Sequence, residues 1–210
     1  LAVSYGSTRK ISVQEKTNYG DFEVTDPKSC KDCEEHSSYF YRSCVDKQVS
    51  KHNSSKLVKL IRLEDVFQEF TKISALSQGG YCDMLMYSED KIVLMDMTCS
   101  RPQYLESRID SDGTMKRGKR AIAYHQLEDS VKKLRGCEII NKKLNTYKDR
   151  ISIFAVREKK FALEEEKNNA LKSMKNFSKM SRLTEGIDLR INMGNGFYFV
   201  VQKYPEIFYW

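Results

Sequence analysis

The clearest pattern in the chain is a pair of apolar runs, 81–87 and 91–99, separated by the polar triplet Ser88-Glu89-Asp90. Two short apolar runs on either side of a polar break predict adjacent strands of one antiparallel hairpin. Both are apolar on both faces. Leu85 and Tyr87 share one face with Ile92 and Leu94, while Met84 and Met86 share the other with Val93, Met95 and Met97. Strands of that kind belong in the middle of a sheet, covered on both sides. Ahead of the hairpin, Leu57, Leu60, Ile61, Phe67, Phe70 and Ile73 follow helical spacing, which predicts an amphipathic helix over 57–74, ended by Gly79-Gly80. After it come a charged loop over 101–117 and a second helix over 119–134, carrying Ala121, Ile122, Leu127, Val131 and Leu134. A short apolar strand at 151–156 and a charged helix over 158–182 follow. The chain closes with runs at 187–193 and 197–201 joined by Gly194-Asn195-Gly196, a hairpin signal. Residues 1–25 alternate loosely at Ile11 and Val13, and again at Phe22 and Val24, which suggests short strands.

This order predicts a mixed α/β or α+β domain with extra strands at both termini. It divides the chain into an N-terminal extension (1–56), a core (57–156), and a C-terminal helix and hairpin (157–210) packed on that core. Apolar residues make up 40% of the 210, enough to bury a core. No stretch approaches the roughly 18 consecutive apolar residues of a membrane span, so no membrane partner is expected. The first residue is Leu rather than Met, which suits part of a larger polypeptide or complex.

Charge adds a direction. Lys and Arg total 36 against 29 Asp and Glu, and residues 101–150 alone hold 13 basic and 7 acidic side chains. A local basic excess suits a polyanion, because each neutralised phosphate releases a counterion; it also serves solubility. Six cysteines are too few for a disulfide scaffold. Cys82, Cys99 and Cys137 lie in apolar surroundings and read as small core residues, which favours a reducing, intracellular (cytoplasmic or nuclear) setting. Four metal-ligand types, Cys30, Cys33, His36 and Cys44, fall within fifteen positions beside Tyr39-Phe40-Tyr41. The Cys-x-x-Cys start suits a structural Zn²⁺ site, with free thiols or a local disulfide as the alternatives.

The candidate chemistry lies in the hairpin. If its turn centres on Glu89-Asp90, paired residue numbers sum to 179 and Asp83 faces Asp96, with Cβ atoms roughly 5 Å apart. Two facing carboxylates in an apolar sheet are costly unless offset. A hard divalent cation offsets them; so does an Arg of the 101–120 segment, or solvent at the strand ends. A third acid, Glu64, has Leu60, Ile61 and Phe67 as its helical neighbours, and Glu69 lies at the edge of the same face. Lys119 and Gln126, seven apart, share a face of the second helix.

The order Cys82-Asp83, apolar hairpin, Asp96-Met97-Thr98, then a Lys- and Gln-bearing helix resembles the PD-(D/E)xK nuclease superfamily over residues 57–156. The resemblance implies a restriction-endonuclease-like core, a central mixed sheet flanked by helices. It also implies a Mg²⁺- or Mn²⁺-dependent nuclease acting on DNA or RNA, with Glu64, Asp83 and Asp96 as metal ligands. Cys82 stands at the family's Pro, and Thr98 at its usual catalytic Lys. Some branches, the viral cap-snatching endonucleases among them, carry that Lys on the following helix, where Lys119 matches; Lys116 is a second choice. Thr98, Arg120 and Gln126 are the implied nucleic-acid contacts. Loss of the Lys would leave a nucleic-acid-binding module without catalysis.

Overall fold

The computed structural model describes residues 15–25, 48–63, 66–67, 80–109, 113–158 and 190–210. The cluster of Cys30, Cys33, His36 and Cys44, the acids Glu64 and Glu69, and the charged segment expected as a helix over 158–182 (from 159 on) lie outside these residues.

The described residues form an α+β architecture with a large mixed sheet flanked by two helices. Four strands form an antiparallel meander: β1 (Glu15–Thr25), β2 (Gln48–Arg62), β3 (Met84–Tyr87) and β4 (Lys91–Ser100). The chain then makes a 3₁₀ turn at Pro102–Tyr104 and a two-stranded ribbon, β5 (Arg108–Ile109) and β6 (Met115–Lys116). Helices α1 (Lys119–Arg135) and α2 (Glu138–Leu144) carry it back to β7 (Asp149–Glu158), which pairs parallel to β4. On the far side of β7 stands β9 (Tyr198–Lys203), also parallel, and β8 (Ile191–Asn192) forms the edge. The last strand, β10 (Ile207–Tyr209), pairs parallel to β2. Extra strands thus stand at both termini, and the sheet draws on all three divisions of the chain.

The expected helix over 57–74 begins as strand instead. Residues 57–62 are the end of β2, and helical backbone starts only at Leu63. The segment fits both periods, since Val58 and Leu60 are fully buried and alternate with half-buried Lys59 and Ile61. Hydrogen-bonding partners on both sides, β1 and β3, decide for the strand. Leu57 is exposed because β2 turns a corner there. The register against β1 shifts between Asn18 and Gly20, Gly20 adopts φ +70°, and Ser54 Oγ bonds both the carbonyl and the N–H of Lys56. At this corner three residues of β2, 55–57, stand opposite the single Tyr19 of β1, an irregularity in the ladder.

Bending brings the first half of β2 over β7 and β9, so the sheet curls on itself around one apolar core built from Val49, Val58, Met84, Met86, Met95 and Ile153. A buried chain of hydrogen bonds closes the curl. Trp210 Nε1–H, which can only donate, bonds His52 Nδ1 at 3.3 Å. The proton therefore sits on Nε2, which donates to Ser50 Oγ at 2.7 Å. Ser50 in turn donates to Gln202 Oε1 at 2.5 Å, and the Gln202 amide donates to the carbonyls of Lys51 and Glu206. Phe22 stacks on the imidazole. On the other face of the sheet, α1 and α2 cover a second core of Leu63, Phe67, Ile92, Leu94, Phe154 and Phe199. The side of α1 facing it is Ala123, Leu127, Val131 and Leu134; Ile122, expected there, is exposed one position away.

Burial lowers the His52 pKa from 6.5 to about 3. Between those values the unfolded chain binds a proton that the folded chain does not, so stability rises with pH across this window. It is complete above pH 6.5 and falls as pH drops towards 3, by up to roughly 5 kcal/mol. Urea unfolding at a series of pH values is expected to show this acid limb, and His52→Gln is expected to flatten it.

Candidate metal site on the central hairpin

The expected hairpin register is the one adopted. Met84 pairs with Met95, Leu85 with Leu94, Met86 with Val93 and Tyr87 with Ile92, and the Ser88 N–H bonds the Lys91 carbonyl across the turn. The ladder ends at the Met84–Met95 pair, with Asp83 in the bend just before it and Asp96 the next residue of β4. Both are buried, at 7% and 8% exposure. Alternation along β4 puts Asp96 on the face of Leu94, the face covered by α1, and Cys82 next to Asp83 enters the same core. Asp83 stands just ahead of β3, and Asp83 Oδ2 accepts the Met97 backbone N–H at 2.7 Å. That bond locks one carboxylate against the strand carrying the other. The Asp83 carbonyl accepts the Leu63 N–H at 3.0 Å and so holds the chain as it leaves β2.

Helix α1 is pinned beside this pair by three contacts. Ser130 Oγ accepts the Cys82 N–H at 2.9 Å and donates to the Gln126 carbonyl. Gln126 lies so close over Gly80 that a Cβ there would come within 2.5 Å of its Cγ. Lys133 Nζ rests 3.7 Å from the centre of the Tyr81 ring. The Cys82–Ser130 bond needs a backbone N–H at position 82, which a Pro lacks. Burial pushes the Cys82 thiol pKa up; the Ser130 bond opposes the rise, and the negative charges of Asp96 and Asp83 add to it.

The remaining expected residues are distributed around the pair. Thr98 is half-buried, two residues beyond Asp96 on the same face. Lys119 is exposed as the first residue of α1, on the stripe that continues through Ala123, Gln126 and Ser130. Arg120 lies on the opposite flank, where its Nη1 pairs with Glu106 at 3.3 Å; together with Tyr124, His125 and Phe199 they border a cleft of about 240 Å³. Lys116 is exposed on β6. Ser130, Lys133 and Gly118 were not anticipated. A Ser inside an apolar helical stripe was the available signal for the first. Gly118 precedes α1 and has the Glu106 backbone within 2.2 Å of where a Cβ would stand, a contact made between distant segments.

Among the described residues no group of three or more His, Cys, Asp or Glu converges. The donors present are two carboxylates with hard oxygens. That set suits Mg²⁺ or Mn²⁺, which keep several waters and take one or two carboxylates. Among the described residues no helix is long and apolar enough to cross a membrane. Comparison with protein-family models, curated proteins and solved structures gives no match.

Removing the Asp83 side chain deprives the Met97 N–H of its charged acceptor. Asp83→Ala is expected to cost about 1.5–3 kcal/mol in metal-free urea unfolding. Asp83→Asn, which keeps an acceptor oxygen, is expected to cost less.

Proposed function

We propose that this chain is a divalent-metal-dependent nuclease built on a restriction-endonuclease-like core, hydrolysing phosphodiester bonds in DNA or RNA. The observation that carries the reading is the pair of buried acids at the end of a central hairpin, Asp96 on β4 and Asp83 bonded to the Met97 N–H of that strand. The order β3, β4, α1, β7, with β7 parallel to β4, supports it as well.

In this reading Asp83 and Asp96, with Glu64 as the third acid, hold Mg²⁺ or Mn²⁺. Such an ion lowers the pKa of a bound water and stabilises charge on the phosphate. Lys119 supplies the positive charge beside the phosphate that Thr98 cannot. Its place on the stripe that reaches Gly80 and Cys82 through Gln126 and Ser130 supports that role. Thr98 and Gln126 contribute neutral hydrogen bonds to the nucleic-acid backbone, and Arg120 a further charge. Cys82, Cys99 and Cys137 form no disulfide, which suits an intracellular setting. Thr98 on the face of Asp96 also supports a second reading, a module that binds nucleic acid without cutting it.

A ligand that binds only the folded state raises apparent stability. Millimolar Mn²⁺ is expected to raise the thermal midpoint of the wild type and to leave that of Asp96→Ala unchanged. Cleavage of a nucleic-acid substrate in Mn²⁺ is expected to vanish in Asp96→Ala and to fall roughly 10²-fold in Lys119→Ala. Nucleic-acid binding and a Mn²⁺ response with no cleavage by the wild type would select the binding module. No Mn²⁺ response in either protein would contradict the metal site.

A further inference from the structure

The connection from β4 to α1 carries a feature the metal site does not use. In the β5–β6 ribbon, Ile109 pairs directly with Met115, and the two are 69% and 75% exposed. Paired residues of an antiparallel ribbon share a face, so these side chains form one apolar projection. The other face pairs Arg108 with Lys116. Among the described residues the ribbon has two pairs. Arg108 is braced 4.7 Å above the Tyr104 ring. At the root of the ribbon stand exposed Arg117 and Lys119. Residues 101–120 hold six basic and three acidic side chains.

We propose that the β5–β6 ribbon is a wedge that inserts Ile109 and Met115 into a base step of duplex DNA while the surrounding cations hold the flanking phosphates. Ile and Met are among the residues that pry base steps apart. Single strands are gripped instead by aromatic platforms, and the two strands of the ribbon contain no aromatic residue. The position is suitable, because the ribbon follows the carboxyl end of β4, the end at which parallel strands present their ligands. Ser100, where β4 ends, lies roughly 13 Å along the strand from Asp96. The inference rests on nucleic acid being the partner but not on cleavage, and it narrows the substrate of the proposed nuclease to duplex DNA.

The test uses the full chain, metal-free, with DNA duplexes carrying 2-aminopurine at successive positions. Binding by the wild type is expected to raise 2-aminopurine fluorescence at one step, as stacking is lost. Ile109→Ser/Met115→Ser is expected to abolish the rise and weaken binding roughly tenfold, with the thermal midpoint and the Mn²⁺ response unchanged. Lys116→Ala/Arg117→Ala is expected to reduce the salt slope of binding by about one for each phosphate that the variant leaves unneutralised. Duplex binding without a fluorescence rise, or a double Ser variant that binds and unstacks like the wild type, would overturn the wedge. So would failure of the wild type to bind duplex DNA, which would leave a protein as the occupant of the apolar pair. Unstacking without cleavage keeps the wedge and sinks the nuclease; cleavage without unstacking does the reverse.

Discussion

Strand β4 is covered on both faces, and most of the molecule follows from that constraint. Between Ile92 and Met97 every residue is buried, so each side chain is committed to one of two separate cores. Val93, Met95 and Met97 enter the curl of the sheet, while Ile92 and Leu94 meet α1. Asp96 follows the second set. A slip of one residue would send Asp96 into the methionine-lined core and reverse the whole strand. The hydrogen-bonded turn from Ser88 to Lys91 and the bond from the Met97 N–H to Asp83 clamp the hairpin at its two ends.

The helix side of the sheet then organises the remaining chemistry. One flank of α1 is tied to the hairpin by Ser130 and Gln126, and the other carries Arg120 and Tyr124 towards Glu106 and Phe199. Its start is set by the close approach of 105–107 to Gly118, with the Arg120 N–H bonded to the Leu105 carbonyl and the Gly118 N–H to Ser107 Oγ. The segment between β4 and α1 is thus anchored at its root, and the ribbon projects from a fixed base. In the proposed enzyme, Asp96, the lysine and the ribbon all belong to one continuous strand–connection–helix unit.

Features set by local periodicity were legible in the sequence. The 81–99 hairpin, its register, the sorting of its side chains onto two faces and α1 all follow from spacing within about twenty residues. The closing hairpin was equally plain, because Gly194 and Gly196 adopt φ near +75° and +83°, which glycine favours. What escaped was decided by distant partners. Residues 57–62 suit a helix until β1 and β3 flank them, and β10 is defined only by its pairing with β2, far off in sequence. Ala123 displaces Ile122 from the core face because the helix packs closely on the sheet. At the site, two acids beside the hairpin ladder were legible, and both are buried. The bonds that hold α1 beside them, and the pairing of Arg120 with Glu106, join segments whose proximity no local pattern announces.

In the proposed nuclease Asp83 and Asp96 share a divalent cation. The most direct measurement is an anomalous-difference map from crystals of the full chain grown with Mn²⁺. The account predicts a peak between the two carboxylates, within roughly 2.2 Å of an oxygen from each. A map without that peak, with a Lys or Arg side chain bridging Asp83 and Asp96 instead, would contradict it.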